Sequence, residues 1–250
     1  MSISLNTIWL TSFCLGLVRA GGFMIVAPPF SSPAIPPRVK IAIAVALALA
    51  SVSTAPSAQI DSLGSWAGQL VLQAFLGLAL GFGVFTLFSA VGVAGELLDL
   101  SSGFSAAQAV DPSSGVSGGA MTRVYTLLAT TLLFATGGHL LLVRGFVRSG
   151  AAVDHISITH IGRGALAASA SMLVAGVEIA LPIMAALLAA EVGLGLLGKA
   201  APQLNVFQLG FAAKILFTLF LLGGSIAMLP EQVSALINLG LKNMAGVTGG

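Results

Sequence analysis

Long apolar runs, separated by short clusters of Pro, Gly and charge, dominate the chain. A helix needs about 20 mostly apolar residues to cross a bilayer core, and the spacing between charges marks six candidates. The first runs from about Leu5 to Val26, carries Arg19 in its middle, and stops at Pro28 and Pro29. The second starts after Pro36, Pro37, Arg38 and Lys40 and ends near Pro56. The third covers roughly Leu63 to Leu98, the fourth lies between Arg123 and Arg144, and the fifth lies between Arg163 and Lys199. The sixth extends from about Phe207 to Met228, before Pro230. None shows the period-2 alternation of a membrane barrel. The pattern predicts an all-α, membrane-associated protein of about six long, kinked helices and helical hairpins.

Two candidates are too long for a simple crossing. At about 1.5 Å per residue, Leu63 to Leu98 would reach roughly 50 Å against a core of about 30 Å. It must tilt, bend or leave the bilayer. The fifth has the same excess, and Pro182 within it predicts a kink near Ala180 and Leu181. Alternating crossings would put Arg38, Lys40, Arg123 and Lys199, with Lys214 as a further candidate, on one side, and Arg144, Arg148, Arg163 and Lys242 on the other. The balance selects no orientation. Either the number of helices differs from six, or the apolar surface is covered by other subunits instead of lipid.

Composition agrees with the hydropathy pattern. Hydrophobic residues make up 57% of the 250 and charged residues 7%, where a soluble domain carries roughly 25% charged residues. The mean hydropathy is +1.05. Ten Lys and Arg against eight Asp and Glu give a net +2, too few groups for a nucleic-acid-binding face. The lone Cys14 excludes an internal disulfide and a multi-cysteine metal site. No basic residue precedes Arg19, so the N-terminus reads as mature sequence with no signal peptide.

Glycines recur at helix-packing spacing, Gly64 with Gly68 and Gly77 with Gly81. Such pairs bare two backbone patches on one face for a neighbouring helix, in this chain or another subunit. Arg19 needs a partner or water at bilayer depth, and Glu178 and Glu191 are the carboxylates offered by the fifth helix.

Ser101 to Gly119 is the one long polar segment between helices. Exposed backbone of this kind cannot lie against lipid, so it reaches solvent or lines an aqueous cavity. It is either an ordinary connector or a plug or gate. Gly103, Phe104, Val110, Asp111, Pro112, Ser113, Gly115, Val116, Gly118, Gly119 and Met121 are the gate candidates. Gly115 to Gly118 also reads G-x-S-G, the short motif around the rhomboid protease nucleophile. That chemistry needs a histidine positioned as base, and His139, His155 and His160 do not follow the rhomboid order. The dispersed histidines make no metal-ligand pattern, and no phosphate-binding Gly-rich loop is present. No catalytic residue, cofactor or metal is expected.

Arg19 is followed by Ala27 and Pro28, then by Ile35, Pro36, Pro37, Arg38, Val39, Lys40 and Ile41. Ala94, Gly95, Glu96, Leu97, Leu98 and Asp99 precede Gly103, Phe104, Asp111 and Pro112. Gly138 and His139 come next, followed by Ser149 and by Ala180, Leu181 and Pro182. The most specific stretch is Leu194 to Phe207, with Pro202, Gln203, Leu204, Asn205, Val206 and Phe207 at its core. Together these stretches resemble the FliR family of type III secretion export-gate proteins almost end to end. Ser101 stands where that family often carries Gln.

The resemblance implies a non-enzymatic subunit packed with FliP and FliQ in a hetero-oligomeric, pore-containing export gate of the bacterial inner membrane, at the flagellar basal body. Residues of about 1–200 would be FliP-like and about 201–250 a FliQ-like hairpin, in one domain over 1–250 with no appended FlhB-like domain. Part of the assembly would sit on the periplasmic side, which accounts for the long helices. FlhB and FlhA would be neighbours, membrane lipid would surround the gate, and unfolded flagellar proteins would pass through as transient clients. A virulence-system gate subunit, a small-solute transporter and a rhomboid-like protease are the alternatives. A transporter should show matched halves with broken helices, and no such repeat is visible.

Overall fold

The computed structural model describes residues 7–52, 62–105, 119–150, 158–201, 203, 206–225 and 229–248. Eight α-helices occur among them. They are α1 (Thr7–Val26), α2 (Pro37–Ser51), α3 (Leu63–Ser102), α4 (Ala120–Ala135), α5 (Gly138–Arg148), α6 (Ile158–Ala200), α7 (Val206–Ser225) and α8 (Leu229–Thr248). The all-α expectation holds, and no strand occurs among the described residues. Four helices, α1, α3, α6 and α7, are long and apolar enough to cross a membrane, and α4 with α5 forms a further, bent pair.

Two elements differ from the sequence expectation. The fourth predicted helix is broken, because Gly137 adopts φ +72° between α4 and α5, a conformation that a helix interior does not accept. The chain also re-enters a helix after the sixth run. Pro230 does not stop it, because it sits in the first turn of α8, where a missing N–H costs nothing, and Glu231 beside it suits the positive helix end. Pro182 lies inside α6, which continues through it as one helix. At about 1.5 Å per residue the 40 residues of α3 and 43 of α6 reach about 60 Å and 64 Å, well beyond one hydrocarbon core.

The chain divides into two compact units. The first contains α1, α2, the α3 segment up to Leu87, α5, the α6 segment up to Ala170 and the α8 segment from Ile237. Ser62 and Ser65 start α3 by exchanging hydrogen bonds, each amide donating 3.2 Å to the other's hydroxyl, which satisfies donors that a helix start leaves open. α1 and α3 then meet backbone to backbone. A Cβ at Gly22 would lie 2.8 Å from the Ala74 carbonyl oxygen, and one at Gly77 would overlap the Arg19 carbonyl. At Gly81 a Cβ would come within 2.9 Å of the Phe23 carbonyl oxygen. Gly64 and Gly68 sit apart from this seam, with no more than a Ser62 hydroxyl at 3.9 Å.

α2 packs on α1 across Gly16, whose missing Cβ makes room for Ser51 and Ala48, and also packs on α5. α5 inserts Phe146 against Phe23, with ring centroids 5.1 Å apart. α8 closes on Gly83 through Met244, and the Asn243 amide donates 3.4 Å to the Thr86 hydroxyl.

The second unit holds the α3 segment from Phe88, α4, the α6 segment from Ser171, α7 and the α8 segment up to Leu236. α6 reaches α3 at Gly176, where a Cβ would stand 2.9 Å from the Ala90 carbonyl oxygen. Lys214 of α7 and Glu191 of α6 form a 2.6 Å ion pair. Little of α7 is covered: 17% of its membrane-length window is buried, against 50% for α3.

The seam makes a paired prediction. Gly77→Ala should cost roughly 1–3 kcal/mol through overpacking and lower the thermal unfolding temperature in detergent. Gly68→Ala should be neutral or stabilise by about 0.5–1 kcal/mol, the helical advantage of Ala over Gly. Equal unfolding temperatures for the two variants would show that the backbone contact at Gly77 is not a constraint.

Candidate functional site

The flanks of the long polar segment are described, and they converge on one carboxylate. α3 ends with two serines that fold their hydroxyls back onto its last carbonyls, Ser101 to Leu97 at 2.5 Å and Ser102 to Leu98 at 2.6 Å. Gly103 then takes φ +88°, the left-handed turn that terminates helices. Its bare Cα faces the Phe211 ring of α7, which a Cβ would approach to 2.8 Å, so both conformation and space require glycine there. Phe104 follows, partly buried.

On the return, Gly119 is the N-cap of α4 but has no side chain to cap with. Asp99 of α3 supplies the cap from 22 residues upstream. One carboxylate oxygen accepts the Met121 amide at 2.9 Å, and the other accepts the Thr122 amide at 3.0 Å and the Thr122 hydroxyl at 2.8 Å. Asp99 is 4% exposed. A buried carboxylate is tolerated only when its lone pairs are matched, and here it receives charge-assisted bonds at the positive end of a helix. Gly119 is pressed against the same carboxylate, which a Cβ would overlap. Gly95, one turn before Asp99, admits the Thr122 backbone, and a Cβ there would overlap it as well. Gly95 and Asp99 thus bring in and hold the start of α4, with Met121 buried beside it.

Of the gate candidates, Gly103, Gly119 and Met121 belong to this anchor, and Phe104 adjoins it in the chain. Val110, Asp111, Pro112, Ser113, Gly115, Val116 and Gly118 lie outside the described residues, as does His155. In the family stretch, Pro202 and Asn205 also lie outside, Gln203 is an exposed turn residue, and Phe207 belongs to the first turn of α7. No group of three potential metal ligands occurs among the described residues.

The structure gives Arg19 an aromatic face where the sequence suggested a carboxylate. It is 1% exposed, and its guanidinium lies over Phe146, 5.3 Å from the ring centroid. The ring's negative face offsets part of its charge. Nε and Nη1 have no hydrogen-bond partner among the described residues. Glu191 is held by Lys214, and Glu178 and Glu96 are exposed. Sequence reasoning missed Gly95, Thr122 and Phe211 as parts of the anchor. The available signal was Asp99 itself, since a carboxylate in an apolar helix must find donors and helix starts are the nearest unfilled ones.

These features define a helical membrane protein in which the end of α3 and the start of α4 are tied together across a polar stretch of sequence. The profile of the bacterial export proteins, family 1, matches residues 10–240, and the chain belongs to that family. It is 31% identical to the flagellar biosynthetic protein FliR of Escherichia coli K12, over 81% of this chain and 79% of that protein. With FliR of Pectobacterium carotovorum the identity is 31% over 89% and 87%. The surface presentation of antigens protein SpaR of Shigella flexneri is 26% identical, over 55% of this chain and 53% of that protein.

The cap predicts a local effect. Asp99→Ala should cost about 1–3 kcal/mol by leaving helix-start donors unmatched and should speed hydrogen exchange at the Met121 and Thr122 amides. Gly119→Ala should do the same by displacing the carboxylate. Unchanged exchange at both amides in both variants would count against the anchor.

Proposed function

We propose that the chain is a non-enzymatic subunit of the flagellar type III protein export gate, and that the segment between Gly103 and Gly119 helps to close its pore. The observation that carries this reading is the similarity to FliR proteins over 81–89% of the chain. The match to SpaR covers 55%, which favours the flagellar reading over a related secretion system. FliP and FliQ are the partners in this reading, with FlhB and FlhA adjacent. The first 200 residues or so would be FliP-like and the rest a FliQ-like hairpin. The gate lies in the inner membrane, with part of it displaced toward the periplasm. Apolar faces left uncovered on α6 and α7, including Leu181, Leu188, Leu216 and Phe220, supply the surface that assembly requires.

The tied loop suits a gate. Its flanks are held by the Asp99 cap and by Gly103 against Phe211. The Ser- and Gly-rich sequence between these flanks is the part assigned to pore closure in this reading. Non-helical backbone at membrane depth survives where it is buried in protein or lines an aqueous path.

Two measurements test the reading. The chain should co-purify with FliP and FliQ, and a stable, monodisperse monomer obtained without them would contradict it. Deleting Ser113 to Gly118 should leave the assembly intact and raise ion leakage through it in proteoliposomes. A deleted complex as ion-tight as wild type would make this segment a connector.

A further inference from the structure

The net charge of +2 conceals a division between the two units. The first unit holds seven Lys and Arg against two Asp, a net +5, and the second holds three against six acidic residues, a net −3. The two acids of the first unit, Asp61 and Asp154, lie outside the described residues. Every described charge in that unit is therefore positive.

Two of these charges share one cleft. Leu140, Leu141, Arg144 and Arg148 of α5 are all exposed and fall within one arc of about 100°. The leucines occupy its first turn, and the arginines follow toward its end. Gly145 beside them lets α8 come close, since a Cβ there would meet Leu241 at 3.2 Å and Met244 at 3.3 Å. The result is a cleft of about 330 Å³ with Arg144 and Arg148 on one side and Leu141, Leu241, Met244 and Ala245 as its apolar wall. Among the described residues neither arginine forms an ion pair, and Ser149 at the rim spends its hydroxyl on the Phe146 carbonyl at 2.6 Å. Two guanidinia one turn apart repel each other, and an anion seated between them relieves that repulsion.

We propose that this cleft seats the phosphate of an anionic phospholipid, with the glycerol and upper acyl chain lying along Leu141, Leu241 and Met244. Guanidinium forks match phosphate oxygens in pairs, and basic pockets between membrane helices hold anionic headgroups. The progression from leucine to arginine along one helix face follows the order of acyl chain and headgroup in a leaflet. A protein carboxylate would use the guanidinia and leave the apolar wall unused.

The test uses the full chain in its assembly, reconstituted in nanodiscs of phosphatidylcholine with phosphatidylglycerol. Native mass spectrometry then reads the retained lipid. Wild type should keep phosphatidylglycerol in preference to phosphatidylcholine. Arg144→Gln and Arg148→Gln should each lower that retention roughly fivefold and together about thirtyfold, the ratio expected when each basic group is worth about 1 kcal/mol at an anionic surface. Lysine at both positions should restore most of it, and Arg38→Gln, an exposed arginine on α2, should leave it unchanged. Glycerol phosphate added to phosphatidylcholine discs should not be retained, and its retention at the phosphatidylglycerol level would make this a free-phosphate site and overturn the proposal. So would the absence of any headgroup preference in wild type, which is read without a variant. Loss of a protein partner from the double variant with lipid retention unchanged would likewise overturn it.

Discussion

Backbone-to-backbone contact along α3 is the constraint on which the structure depends. Helices in apolar surroundings gain little from hiding apolar side chains from one another, so close packing and matched polar groups must hold them. Gly22 and Gly77 bare both partners at the α1–α3 crossing, Gly95 admits the start of α4, and Gly176 lets α6 reach α3. The position of Arg19 follows. Its carbonyl lies against Gly77, and its side chain is buried over Phe146 in the same unit.

The Asp99 cap is the electrostatic counterpart of that seam. A carboxylate buried in an apolar helix is costly alone, and three open donors at the start of α4 are costly alone. Bringing them together cancels both penalties and fixes where the polar segment leaves and returns. α3 and α4 are thus joined directly, through Asp99, Gly95 and Gly119.

Helix number and type were mostly legible because apolar runs and prolines report directly on backbone requirements. The break at Gly137 was not, since a positive φ leaves no mark that separates one glycine from another in a chain with 31 of them. Gly77 and Gly81 share their spacing with Gly64 and Gly68, yet among the described residues only Gly77 and Gly81 meet a helix; spacing shows that a face is bare without showing what lies opposite. Asp99 and Gly119 were both visible as candidates, and their link was not. A contact 20 residues apart depends on how the intervening chain returns, which local pattern does not encode. The same limit applied to Arg19, whose partner proved to be Phe146, 127 positions away.

The uncovered leucine and phenylalanine faces of α6 and α7 also bear on the life of the protein before it is incorporated. In the proposed gate, a copy without neighbours would present to chaperones and membrane proteases the surface that an incorporated copy hides. Its survival time would then depend on how soon a neighbour arrives, and degradation of orphans would set subunit stoichiometry without any dedicated regulator.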